Sequence, residues 1–459
     1  MQFTKGQLNG VKGRLYWITL LFLIYLSGSC QHTESTEPAE TRLAKSLVRG
    51  WNQIFLELER HTPGYRAPVS ARTFAYVSSA AYQASLPYLP GSISLGKYFT
   101  DFHPFVDPPG KFYLPASLNA AYAEIMRDFF PTAPPYLLER INLFEAEQSA
   151  QLRTGTDPTT YRLSANYGKR TAFTVWRWAA TDSIGQNGFL HNEDSSFQLR
   201  HCTGCWQPDD DHPAQALLPQ WGQVRSFIVP NSEITVKAPV PYDEHPGSQF
   251  YAGAMEVYSI SNPLGKENGW IAEFWSDDVP GLTVTPTGRW ISIANQAVEK
   301  SNPDFPRILE MYVKLGYAIS DALVTCWEAK FRFNLDRPTR YIRRNIRPGW
   351  KPVHPNPPFP SYPSGHAAIA AAASTVLGEV FGKDFAFTDR THEDRLEFEG
   401  KPRTYPSFSA MAEENALSRI VMGVHYRMDC EEGSRIGRII GQKVVELPLF
   451  NADVSALGH

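Results

Sequence analysis

The sequence has no excess of charge of either sign: 44 Lys and Arg stand against 47 Asp and Glu, a formal net charge of −3. That excludes the basic surface that nucleic-acid binding requires, so any cationic site has to be local. Cysteine is scarce, five in 459 residues. A single Cys202-Thr-Gly-Cys205 pair, even between His201 and His212, is poor evidence for zinc without a second pair. A short-loop disulfide or two free thiols fits it better, and Cys326 and Cys430 sit in apolar helical contexts that suit a core. The apolar run Leu15–Leu26 is too short to span a bilayer. With 459 residues, one large or two medium domains are expected.

That apolar run follows Lys5, Lys12 and Arg14, the layout of an export signal. Leu26-Ser27-Gly28-Ser29-Cys30 then resembles a bacterial lipoprotein cleavage site with Cys30 as the lipidated residue; ordinary cleavage nearby is the alternative. Residues 31–41 are polar and suit a tether. These features predict an exported chain, anchored by lipid in the periplasm or outer membrane, or secreted. Export permits disulfides.

Beyond residue 41 the periodicity is helical. Apolar residues recur every three or four positions over 43–60, and helices fit 71–87, 116–130, 135–152 and 164–181. The pattern breaks from about 183 to 247, then resumes over 248–260, 268–276, 287–301 and 305–331. Seven prolines in 348–363 exclude helix and predict a stiff, extended strap leading to Ser364. Helices follow over 366–381, 408–421 and 426–446, with a loop over 382–407. The expected fold is all-α with two helical bundles: an N-terminal bundle with an irregular crossover over 42–240, and a C-terminal domain over 241–459 that carries the site.

Three segments of that C-terminal half carry chemistry. Lys330-Phe-Arg-Phe-Asn-Leu-Asp-Arg337-Pro338 supplies two cations, and Arg forks suit tetrahedral oxyanions. Pro363-Ser364-Gly365-His366 opens a helix, where unpaired N–H groups favour an anion and Gly365 permits close approach; a plain Ser N-cap is the bland reading. Ser418-Arg419 precedes Gly423, His425 and Asp429. On one continuous helix Arg419 and His425 would point about 120° apart, and a break at Gly423 lets both face inward. His425 and Asp429 are spaced to share one face of the last helix, where the carboxylate would hold the imidazole tautomer.

Taken together and in this order, these segments resemble the superfamily of vanadium-dependent haloperoxidases and type-2 phosphatidic acid phosphatases, with every motif position filled. The resemblance is strong over 325–435. It extends weakly to Trp221-Gly222 and to Phe274-Trp275-Ser276-Asp277-Asp278. Trp327, three residues before Lys330, and Phe359, five before Ser364, match the chloroperoxidase-type pattern and are candidates for the halide approach. The resemblance implies that Lys330, Arg337, Ser364, Gly365, His366 and Arg419 bind the oxygens of vanadate, with phosphate fitting the same site. It further implies that His425 is the vanadium ligand and His366 the acid–base residue. The implied reaction is peroxide-dependent oxidation of a halide to hypohalous acid, with a small organic acceptor. The alternative is a phosphomonoesterase in which His425 is the phosphoryl acceptor.

Overall fold

The computed structural model describes residues 37–208 and 215–451. The expected signal and most of the tether lie outside these residues. The described residues from Ala39 onward form one compact unit, and the all-α class holds, with fourteen helices among the described residues. The first six are α1 (Ala39–His61), α2 (Ala67–Ser85), α3 (Leu114–Phe129), α4 (Pro135–Leu152), α5 (Pro158–Ala180) and α6 (Ser183–Gln186). After an irregular stretch come α7 (Gln249–Ser261), α8 (Lys266–Phe274), α9 (Pro286–Ser301), α10 (Phe305–Phe333) and α11 (Pro338–Asn345). The last three are α12 (Gly365–Phe381), α13 (Phe408–Val421) and α14 (Arg427–Val445). Among the described residues no helix is long and apolar enough to cross a membrane.

Local chemistry sets the helix starts. Asp157, Thr285, Asp304, Ser364 and Ser407 each accept a backbone N–H of the first turn as N-caps. Pro135, Pro158, Pro286 and Pro338 occupy first positions, where the missing N–H costs nothing. The tether expected through residue 41 ends sooner, because α1 begins at Ala39 and Glu40 accepts the Leu114 N–H at 2.6 Å. The loop expected over 382–407 contains a short antiparallel pair, β1 (Phe387–Asp389) and β2 (Arg403–Tyr405), with Phe387 opposite Tyr405.

The long helix α10 is the centre of the molecule and packs on α2, α12 and α14. One continuous apolar core joins residues from both halves of the chain. The boundary proposed near residue 240 is therefore one of element order, without a gap in packing. Buried Asp321 on α10 accepts the N–H groups of Phe227, Ile228 and Val229 at 2.7–2.8 Å, which pins the irregular crossover to this helix. Cys202 and Cys205 form a disulfide. Its loop is stitched to the end of α10 by Trp206 N–H to Asn334 O (2.8 Å) and Asp336 N–H to Gly204 O (2.9 Å). Cys326 and Cys430 are buried and free.

Helices α12 and α14 approach almost backbone to backbone. Gly433, Gly437 and Gly441, four residues apart, face the carbonyls of Ser364, Ala368 and Ala372 on the Ala-rich α12. A Cβ at Gly437 would press into the Ala368 carbonyl. This contact carries the start of α14 to the start of α12, where the site lies.

Candidate active site

The proline strap is held from inside by Lys330. Its buried ammonium donates to the carbonyls of Pro360 (2.8 Å), Ser361 (2.9 Å) and Pro363 (2.5 Å). The strap's Phe359 ring lies 4.9 Å from the same Nζ and 5.0 Å from the Trp327 ring.

Arg337 is the N-cap of α11, extended before Pro338. Its guanidinium donates from Nε to Phe359 O (3.1 Å) and from Nη1 to Val424 O (2.8 Å). Nη1 also lies 3.1 Å from His425 Nε2. Arginine can only donate, so that His425 nitrogen is the acceptor and the imidazole proton sits on Nδ1. There it faces Asp429 Oδ2 at 2.9 Å.

The His425–Asp429 pair arises differently from the expectation. Gly423 adopts φ +84° and breaks the chain after α13, but the break continues through Tyr426, the N-cap of α14. His425 therefore precedes the helix. Asp429 sits at its third position, accepts the Tyr426 N–H at 3.1 Å in a capping box, and receives His425 and the Ser361 hydroxyl on the same oxygen.

Across from it, Arg419 donates from Nε to Ser418 Oγ (3.0 Å) and from Nη2 to Trp275 O. Its Nη1 is 3.0 Å from His366 Nε2, which is an acceptor by the same logic. Ser364 is the N-cap of α12, as the bland reading has it, accepting Ala367 N–H at 3.4 Å.

These parts surround a cavity of about 30 Å³, room for one or two water-sized groups. Leu217, Leu323, Trp327, Phe359, Ile369 and Val424 make its apolar side, and Arg66, Asp278, Gly365, His366, Arg419 and His425 its polar side. Of the residues singled out from sequence, Lys330, Arg337, Ser364 and Asp429 stand behind that lining rather than in it. Leu217 and Arg66 lie outside every segment singled out from sequence, and Asp278 lies in the weakly matching Phe274–Asp278 segment without an assigned role. Arg66 and Asp278 pair at 2.8 Å, and Asp278 is held at φ +75°. The adjacent acidic pair Asp277-Asp278 was the available signal.

Burial, and then the neighbouring cations, push His366 and His425 well below the ordinary imidazole value. Burial lowers Arg337 and Arg419 to about 10. It also lowers Lys330, with Arg337 adding to the effect, while three carbonyls hold its proton in place. Burial raises Asp429. A small oxyanion would relieve the repulsion within this cluster. Arg337, just behind the lining, keeps Nη2 buried and without a hydrogen-bond partner, a donor in reserve for such an anion. Among the described residues no three His, Cys, Asp or Glu side chains converge as ligands for a bare cation. The donor set thus fits vanadate or phosphate.

Comparison with known proteins agrees. Residues 310–449 match the family described as the VCPO second helical-bundle domain. A bacterial vanadium-dependent iodoperoxidase of solved structure superposes with a TM-score of 0.79 at 28% identity, over 89% of this chain and 98% of that one. Over residues 310–449 the chain carries the helical-bundle domain of the vanadium chloroperoxidase family, and its solved neighbours are bacterial vanadium haloperoxidases. A holo-type bacterial vanadium-dependent chloroperoxidase shares the fold at 17% identity, with a TM-score of 0.66 over 84% of this chain and 92% of that one. The vanadium chloroperoxidase of Curvularia inaequalis is 26% identical over 225 residues, 39% of this chain and 35% of that protein. The vanadium-dependent bromoperoxidase of Ascophyllum nodosum is 33% identical over 104 residues, 21% of this chain and 19% of that protein. The chain thus spans about a third and a fifth of the lengths of these two curated relatives.

Proposed function

We propose that the chain is a vanadium-dependent haloperoxidase that uses hydrogen peroxide to oxidise a halide to hypohalous acid, which then meets a small organic acceptor. The observation that carries this reading is His425 Nε2, an unprotonated nitrogen fixed by Asp429 and Arg337 at the wall of a water-sized cavity. His425 would hold the vanadium. Lys330, Arg337, Ser364, Gly365, His366 and Arg419 would hold the vanadate oxygens. When bound, vanadate supplies a Lewis acid toward peroxide.

The chain's own groups supply the rest. Asp429 keeps the imidazole proton on Nδ1 and so keeps the ligand nitrogen basic. His366, neutral in this setting, takes a proton from hydrogen peroxide at Nε2 once an oxyanion draws Arg419 away from it. The lysine and two arginines offset negative charge in a site with little water. Trp327 and Phe359 line the halide approach. Resemblance to an iodoperoxidase makes iodide the first halide to test. The Leu15–Leu26 run and Cys30 support action outside the cytoplasm, anchored by lipid or released.

Purified protein loaded with vanadate should iodinate or brominate a phenol indicator in the presence of peroxide. No gain over vanadate-free protein would overturn the reading. The phosphomonoesterase alternative uses the same His425 nitrogen, but the apolar wall of Leu217, Trp327 and Phe359 favours a halide over an organic phosphate ester. Turnover of an aryl phosphate, inhibited by vanadate, is the companion assay.

A further inference from the structure

The apolar side of the cavity includes one residue from far outside the motif segments. Leu217 belongs to the irregular crossover and is 6% exposed. Its backbone is held on both sides of the cavity wall. Its N–H donates to Pro358 O at 2.8 Å, on the strap, and its carbonyl accepts Trp327 Nε1–H at 3.3 Å, on α10. The next residue, Leu218, sits at φ +51°, a conformation that is strained for a bulky side chain. It is kept there by Leu218 N–H to Asn192 O (2.7 Å) and Trp221 N–H to Leu218 O (3.0 Å). Strain of this kind persists only where the surroundings over-determine it. Here the result is a leucine fixed in the wall of the cavity that His366 and His425 also line.

We propose that Leu217 is a specificity-determining residue, which selects the weakly hydrated halide, iodide, over bromide and chloride. The inference rests on the haloperoxidase reading. A halide that passes between Leu217, Trp327 and Phe359 loses water on that side and finds no donor to replace it, since the Trp327 N–H is already spent on Leu217 O. The cost of stripping water rises as the ion becomes smaller, so chloride is penalised most and iodide least. The anchoring on the strap and on α10 keeps the leucine from turning aside.

The test uses the full chain and Leu217→Ser, Leu217→Ala and Leu217→Met variants. In vanadate-loaded protein, the ratio of kcat/KM for iodide to that for bromide should fall roughly tenfold in the Ser and Ala variants, through KM, and stay within about twofold in the Met variant. An unchanged ratio in Ala and Ser, or an equal fall in Met, would overturn the proposal. A second readout needs no vanadate. Iodide should quench the Trp327 fluorescence, taken as wild type minus Trp327→Phe, in a saturable way that excess chloride does not relieve; in Leu217→Ala, chloride should compete. Quenching that is linear in iodide, or competition by chloride in the wild type, would overturn it. If loaded wild type oxidises no halide, the haloperoxidase reading falls and the quenching still decides the selection.

Discussion

Arg337 and His425 meet nitrogen to nitrogen: Nη1 of the one is 3.1 Å from Nε2 of the other. The Nε2 lone pair that accepts this N–H is the one a vanadium atom would take, so the guanidinium would have to turn from it to the oxyanion on binding, while Nη2 of the same fork is buried without a partner. Replacing Arg337 by Ala should weaken vanadate binding by about 10- to 150-fold, the effect of one hydrogen bond to a charged group at roughly 1.5–3 kcal/mol. Arg337→Lys should recover little of it, because a point charge cannot reach Phe359 O, Val424 O and an oxyanion at once. Equilibrium dialysis with elemental analysis for vanadium checks both.

Asp429 offers a second, separable test. Its Oδ2 takes the His425 Nδ1–H, the Ser361 hydroxyl and the Tyr426 N–H. Asp429→Ala should cost about 10–100-fold in vanadate affinity. Asp429→Asn keeps one acceptor without the charge and should fall between. Imidazole nitrogen shifts in NMR should show His425 losing its fixed tautomer in the Ala variant. A tautomer unchanged in that variant would remove Asp429 from this role.

The depressed histidines give a pH dependence with a defined sign. In the free protein, burial and the cations of Arg419 and Arg337 keep His366 and His425 neutral below the ordinary value of 6.5. The unfolded chain takes up those protons as pH falls through 6.5, so these two groups make the free protein lose stability as the medium becomes acidic. An oxyanion offsets the cations and raises the imidazole pKa. Phosphate binding should therefore draw protons onto these two imidazoles at pH values where they are neutral in the free protein. Calorimetry in two buffers of different ionisation enthalpy measures the uptake, and His366→Ala should reduce it.

Much of this was legible in the sequence because the site is spelled in side chains that must be those types. Lys330, Arg337, Ser364, His366, Arg419 and His425 stand in three short segments, and the amphipathic rhythm of α10 places Lys330 inward. What was hidden depended on contacts between distant segments. Helix α11 reads Pro-Thr-Arg-Tyr-Ile-Arg-Arg-Asn; its buried face is only Pro338, Thr339, Tyr341 and Ile342, too short a stripe to stand out in a sequence, and it starts at Pro338 behind an extended Arg337. The position of His425 just outside α14 followed from a break two residues longer than Gly423 alone implies. Leu217, Arg66 and Asp278 reach the cavity from the crossover, the start of α2 and the turn before α9; the Asp277-Asp278 pair marks the last, and no local pattern marks Leu217 or Arg66.

One signal was present and unused: the four-residue spacing of Gly433, Gly437 and Gly441. Each lies against a carbonyl of α12, and α14 can dock at this distance only while these positions lack a Cβ. Gly437→Ala improves intrinsic helix propensity by about 1 kcal/mol, yet it forces a methyl into the Ala368 carbonyl. Overpacking of that kind costs about 1–3 kcal/mol, more where backbone is the obstacle. The net effect should be a lower thermal midpoint. The displacement should also reach the site, because Asp429 O accepts the Ser364 N–H at 2.9 Å and ties the starts of the two helices together. We therefore expect Gly437→Ala to weaken vanadate binding without touching a binding residue. Gly378→Ala, on α12 with nothing within 4 Å of the added methyl, should gain stability and leave binding intact. Thermal unfolding and vanadate dialysis on the two variants separate helix propensity from the helix–helix contact, and equal behaviour of the pair would refute the close-packing account.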